Sequence, residues 1–231
     1  VGLHNLPVTF ILDRAGVTGP DGSSHHGMFD LSYLRMVPNM VVSTPKDAEE
    51  LGRLVATATT HQGPFAIRYP RGPVAETVID IRPLPSLTWE MVQDGGSDVL
   101  ICASGKMVAV AENAAGLLGS NGLTATVVNA RFIKPTDRRL STWARAHRAV
   151  VTVEDNTRRG GLGASVLEFL AEQGVVRPLR QVALPDHFLP HGAQGELLAE
   201  YGLTAEGVAE AAVLALDSSG EAPPDQARAV G

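Results

Sequence analysis

The chain has a single cysteine, Cys102, among 231 residues. A lone thiol can form neither an intrachain disulfide nor a zinc cluster, so the sequence suits a reducing compartment and a cytoplasmic protein is expected. Long hydrophobic runs are also missing. The longest, such as residues 99–103, are strand-length, far short of the ~18 residues of a membrane span. No charged leader followed by an apolar core of about 7–15 residues marks a signal peptide. Basic charge is scarce: 19 Lys and Arg face 25 Asp and Glu, a net charge of −6. With no dense Lys/Arg block, the electrostatic footprint of a nucleic-acid binder is absent. Nor is there an initiating Met. Residues 6–12 read as a strand already under way, so the chain is read as a piece whose beginning lies elsewhere.

What is present is a folded-protein composition. With 44% hydrophobic and 19% charged residues, wholesale disorder is excluded. Short runs of Val, Ile and Phe alternate with stretches of helical period, which predicts an α/β fold built on parallel sheets. In the first part, strands are expected at 8–12, 40–43 and 65–69, with a short helix over 29–37. Thr44-Pro45-Lys46-Asp47 reads as a helix start with Thr44 as N-cap, the helix running to about residue 60. Residues 73–97, rich in Pro and Gly, read as a linker. In the second part, strands are expected at 99–103, 125–129, 150–154 and 181–184. Helices are expected at 107–118, 137–146, 162–172, 194–200 and 205–216, and residues 217–231 read as a disordered tail. The domains expected are thus 1–72 and 98–216.

The informative segment is the loop from Asp13 to Asp30. It follows the carboxyl end of a strand, where ligands sit in open parallel sheets. Gly16, Gly19, Gly22 and Gly27 allow close backbone approach, while Arg14, Asp21, His25 and His26 supply a fixed cation, a carboxylate and two imidazoles. A solvated surface loop is the competing reading. Neighbouring His25 and His26 do not converge on one ion, and no cysteine or third histidine stands at ligand spacing, so no metal site is expected. Arg68-Tyr-Pro-Arg71 ends the third strand and would bring Arg71 toward Arg14, two guanidiniums suited to clamp a phosphorylated substrate. Pairing of Arg68 or Arg71 with a carboxylate is the equal alternative. Gly160-Gly-Leu-Gly163 lacks the third glycine of a dinucleotide fingerprint and reads as close helix–strand packing. Glu154-Asp155 reads as a cap on the following helix, and His187 and His191, separated by Pro190, read as structural. Ser104-Gly-Lys106 carries no weight as a phosphate loop.

These residues also form a resemblance. Asp13-Arg-Ala-Gly16, the segment from Gly19 to Arg35 with its Asp21-Gly-Ser-Ser-His25, Gly63 to Gly72, Phe132-Ile-Lys-Pro135, Val151-Thr-Val-Glu-Asp-Asn156 and Leu184 to Gly192 together resemble the 1-deoxy-D-xylulose-5-phosphate synthases, thiamine-diphosphate enzymes of the transketolase group. The resemblance runs in order over about 210 residues. It implies a partial pyrimidine-binding domain followed by a small open-sheet C-terminal domain. It implies further that Asp21 and His25 touch the reacting groups and that Arg14 and Arg71 hold the acceptor's phosphate. His26 departs from the family's usual Gln. The implied substrates are pyruvate and D-glyceraldehyde 3-phosphate, the implied assembly a homodimer, and the implied cofactors thiamine diphosphate and Mg²⁺. Their ligands are expected upstream of Val1, leaving this chain catalytically incomplete alone. A β-type subunit of a 2-oxo-acid dehydrogenase and a non-catalytic sugar-phosphate module are the rival readings.

Overall fold

The computed structural model describes residues 1–73 and 81–218. Two sheets carry the fold. In the first, β1 (Thr9–Leu12), β3 (Phe65–Arg68) and β2 (Val41–Ser43) run parallel in the order β1-β3-β2. In the second, β6 (Ala125–Asn129), β5 (Val99–Ala103), β8 (Ala149–Thr157) and β9 (Leu179–Leu184) run parallel in the order β6-β5-β8-β9. The helices are α1 (Asp30–Arg35), α2 (Ala48–Thr60), α3 (Met107–Ser120), α4 (Leu140–Ala146), α5 (Leu162–Glu172), α6 (Gln194–Glu200) and α7 (Ala205–Asp217). The α/β class follows from central strands such as β5 and β6 that are buried on both faces, as parallel strands covered by helices must be.

β5 shows how the layers form. Successive side chains of a strand point to opposite faces. Val99, Ile101 and Ala103 accordingly enter a core with Val108, Ala111 and Leu118 of α3 and Val208 and Ala212 of α7. Leu100 and Cys102 enter a second core, which also holds Val42, Phe65 and Ile67 of the first sheet and Val166 of α5. The two sheets therefore share one hydrophobic layer. They are not independent units on a tether.

Three expectations change here. The helix does not start at Thr44. Asp47 is the N-cap of α2, its Oδ1 accepting from the Glu50 N–H at 2.8 Å, and Glu50 reaches back to accept from the Lys46 N–H at 2.7 Å. That reciprocal arrangement satisfies two orphan donors at once, which a Thr44 cap would not. Second, the expected linker 73–97 is partly structural, residues 74–80 lying outside the described residues. Trp89 is buried, donating its indole N–H to Phe132 O and its backbone N–H to Asp137 Oδ2, both at 2.7 Å. It leads into β4 (Glu90–Gln93), an antiparallel edge strand on β6. Asp137, expected inside a helix, is instead an acceptor for Trp89 and Arg139 ahead of α4. Third, β7 (Phe132–Lys134) belongs to the second half of the chain yet pairs antiparallel with β2, completing the first sheet as β1-β3-β2-β7. Of the expected tail, Asp217 ends α7 and residues 219–231 lie outside the described residues. No helix among the described residues is long and apolar enough to cross a membrane.

Candidate active site

β1 and β3 are parallel neighbours, so their carboxyl ends emerge side by side, and Ala15 N–H donates to Tyr69 O at 3.0 Å just beyond them. This brings Arg14 and Arg71 to one place. Arg71 Nη1 donates to Asp21 Oδ2 at 2.7 Å, and Arg14 Nε lies 3.9 Å from the same oxygen. Arg14 also donates to Asp13 at 2.8 Å. One carboxylate oxygen thus sits between two guanidiniums whose side chains remain 43% and 61% exposed. The arrangement can exchange or share that carboxylate with an incoming anion, because each guanidinium retains unused donors. Arg14 adopts φ 58°, in the left-handed region, which turns the chain sharply off the strand.

The loop that carries Asp21 is fastened from several sides. Gly16 N–H donates to Gly27 O at 2.8 Å and Gly27 N–H to Arg14 O at 3.2 Å, closing its base. Its outer part lies against the segment before α6: Ser23 Oγ donates to Leu189 O at 2.6 Å, and the Gln194 side chain to Val17 O. The two adjacent histidines separate. His26 is buried, its Nδ1 accepting from Thr18 N–H at 3.1 Å, which leaves Nε2–H to donate to Pro190 O at 3.0 Å. Both of its ring nitrogens are engaged. His25 is exposed, with Nδ1 3.1 Å from Ser24 Oγ and no hydrogen bond to Nε2 among the described residues. Of the two, His25 is therefore the imidazole left open to solvent.

Below the loop lies a buried ion cluster. Arg68, 1% exposed, donates to Asp30 Oδ1 at 2.9 Å, Asp155 Oδ1 at 2.5 Å, Gly27 O at 2.9 Å and Asp155 O at 3.0 Å. Of the two arginines of Arg68-Tyr-Pro-Arg71, Arg68 is thus the one consumed by structural carboxylates. Burial pushes the Asp30 carboxyl upward, and Arg68 only partly offsets it. For Asp155 burial also acts upward, but the attraction of Arg68 and then Lys106 prevails and holds it below its ordinary value. Gly16, at φ 70°, lies directly over Asp155, where a Cβ would overlap the carboxylate. Lys106, at the start of α3, places Nζ 3.4 Å from Asp155 Oδ2. Sequence reasoning gave Lys106 no weight. Its only signal is a position at the carboxyl end of β5.

Gly160-Gly-Leu-Gly163 is not a phosphate cradle. Glu154 fills it, accepting from Leu162 N–H at 2.7 Å and Gly163 N–H at 2.8 Å, while a Cβ at Gly163 would come within 2.7 Å of the Gln181 side chain. Burial raises the Glu154 pKa to about 7 against the pull of those two N–H groups. His187 contacts the Tyr201 hydroxyl at 3.4 Å, and the Cβ of His191 lies beside Gly22, the neighbour of Asp21. Among the described residues, no three His, Cys, Asp or Glu side chains are grouped to hold a metal ion.

Comparison with known proteins identifies the two domains. Residues 1–76 match the transketolase pyrimidine-binding domain and residues 87–208 the transketolase C-terminal domain. The chain is 48% identical over 214 residues to 1-deoxy-D-xylulose-5-phosphate synthase 2 of Geobacter sulfurreducens, covering 90% of this chain and 34% of that protein. It is 46% identical over 213 residues to the 1-deoxy-D-xylulose-5-phosphate synthase of Aquifex aeolicus, with 91% and 34% covered. The chain therefore spans about a third of the length of the curated relatives it matches. A solved structure titled split gene transketolase, inactive beta4 tetramer, is 36% identical with a TM-score of 0.83, covering 93% of this chain and 69% of that one. A transketolase of Pichia stipitis, at 20% identity and TM-score 0.72, shares the fold across 94% of this chain and 31% of its own length. The chain belongs to the transketolase family of thiamine-diphosphate enzymes, as a pyrimidine-binding region followed by a C-terminal domain.

Proposed function

We propose that this chain carries the acceptor-binding part of a 1-deoxy-D-xylulose-5-phosphate synthase. The complete enzyme would condense pyruvate with D-glyceraldehyde 3-phosphate to 1-deoxy-D-xylulose 5-phosphate and CO₂, in the cytoplasm, supplying isoprenoid and thiamine precursors. The observation that carries this reading is the convergence of Arg14 and Arg71 on one oxygen of Asp21. Paired guanidiniums match a phosphate dianion in charge and in fork geometry. Asp21 holds them apart in register and is replaced or joined there by the acceptor's phosphate. His25, exposed on the same loop, meets the reacting carbonyl and holds or moves a proton at Nε2.

The described residues do not by themselves fit thiamine diphosphate. The Gly160–Gly163 turn that opens α5 is closed by Glu154, and no acidic cluster among the described residues suits a divalent cation. When bound, that cofactor supplies the electron sink for decarboxylation. We propose that it and Mg²⁺ are held by the remainder of the enzyme, in the same polypeptide or a second chain, within a homodimer. A β-type subunit of a 2-oxo-acid dehydrogenase would need no clamp for an aldehyde phosphate.

The test is steady-state kinetics of Arg14→Ala and Arg71→Ala in the complete enzyme. Each loses charge-assisted hydrogen bonds, so the KM for D-glyceraldehyde 3-phosphate rises roughly ten- to a hundredfold while the KM for pyruvate holds. An unchanged acceptor KM in both variants overturns the reading.

A further inference from the structure

We propose that Lys106 is a third cation of the acceptor site, contributed by the second half of the chain, and that it selects phosphorylated over unphosphorylated aldehydes. The inference rests on the acceptor-clamp reading above. Lys106 and Arg71 line the same cavity of about 320 Å³, together with Tyr69, Lys46, Asp47 and Gln194. The cavity opens where β3 ends, between the start of α2 and the start of α3.

Three observations assign Lys106 to a ligand and not to structure alone. Among the described residues its Nζ has no hydrogen-bond partner at ordinary geometry and one ion-pair partner, Asp155 at 3.4 Å. An ammonium carries three donors, so its capacity is largely unspent. Asp155 has a closer partner in Arg68, which meets that carboxylate at 2.5 Å and its backbone carbonyl at 3.0 Å, so Lys106 is its secondary cation. Finally, the same Asp155 oxygen lies directly beneath Gly16, two residues from Arg14, so Lys106 stands at the base of the loop that carries the clamp. Among the described residues lining the cavity the one carboxylate is Asp47, which lies 3.8 Å from Lys46, itself held by Glu90 at 2.8 Å. Arg14 and Arg71 approach from the ends of β1 and β3, Lys106 from the end of β5. A phosphate held among them is contacted by both halves of the molecule, and Lys106, as a compact point charge, adds attraction without fixing orientation.

The test is calorimetric titration of inorganic phosphate into the chain and its variants, with Arg71→Ala as reference. Lys106→Gln and Lys106→Ala each weaken phosphate binding about tenfold, the loss of one charge-assisted contact, whereas Lys106→Arg retains it within a few-fold. In the complete enzyme, Lys106→Gln lowers the ratio of kcat/KM for D-glyceraldehyde 3-phosphate to that for D-glyceraldehyde by a similar factor. If Arg71→Ala loses phosphate binding while both Lys106 variants keep it, Lys106 is only a neighbour of Asp155 and the proposal fails alone. If Arg71→Ala also binds phosphate like the parent, the clamp itself fails, and this inference with it.

Discussion

Arg68 of β3 and Asp155 of β8 meet at 2.5 Å in the interior, joining the two sheets directly beneath the loop that carries Arg14, Asp21 and His25. Both groups are desolvated, and each is satisfied by further contacts: Asp30 and Gly27 O for the guanidinium, Lys106 for the carboxylate. Such a pair adds little net stability against an apolar substitute of equal shape, but breaking it strands a buried charge.

Arg68→Met therefore leaves Asp30 without its cation and Asp155 with Lys106 alone at 3.4 Å. Urea unfolding monitored by circular dichroism is expected to show a loss of about 3–5 kcal/mol. A loss below about 1 kcal/mol would mean that water or Lys106 compensates Asp155.

Glu154 makes stability depend on pH in a direction opposite to an ordinary carboxylate. Its folded-state value of about 7 lies above the ordinary 4.5, so its contribution is complete below pH 4.5 and is lost as pH rises through 7. The difference corresponds to about 3 kcal/mol. Asp98 and Asp137, whose carboxyls are held low, act in the other sense, losing their contribution as pH falls. The measurement is the unfolding free energy of the parent minus that of Glu154→Gln, from pH 4 to 8. The difference should move against the parent with rising pH; a flat difference would mean that Glu154 is ionised throughout.

Gly16 should tolerate no side chain. Gly16→Ala combines a left-handed backbone with overlap of the Asp155 carboxylate, at a joint cost of about 2–4 kcal/mol. Gly174, also left-handed at φ 61° but with open space around it, should lose only about 1 kcal/mol on substitution by Ala. Thermal unfolding of the two variants separates strain from collision, and phosphate binding should weaken for Gly16→Ala alone.

The paired histidines should divide their effects. His26→Leu removes the acceptor of Thr18 N–H and the donor to Pro190 O, lowering stability by about 1–3 kcal/mol. His25→Ala should leave the melting curve in place and lower turnover of the complete enzyme by about 10²–10⁴. His26→Gln, which keeps a hydrogen-bonding amide, should stay within a few-fold in turnover. If His26→Gln were the crippled variant, the loop assignment would be off by one residue.

Much of this was legible in the residues themselves. Both-sided apolar runs such as 65–67 and 99–103 announce parallel strands, because only a strand covered on both faces by helices has no polar side. The convergence of Arg14 and Arg71 was legible too, since parallel strands end on the same edge. What remained hidden was long-range. Glu90-Met-Val-Gln93 is too short and polar to signal a strand, and becomes one only because β6 offers an edge. Phe132-Ile-Lys134 follows β6 closely in sequence, yet its partner β2 lies in the other half of the chain. Nothing local could tell Arg68 from Arg71: one is swallowed by Asp30 and Asp155 and the other pairs with Asp21 while staying exposed, a choice made by strand β8 lying beneath. The same holds for His25 and His26, whose side chains part because Pro190 presents a carbonyl to only one of them. Periodicity and turn chemistry act within a few residues and so determined the elements. Charge pairing acts across tens of residues, and only the tertiary structure decided which of two like side chains would be buried and which left to meet a ligand.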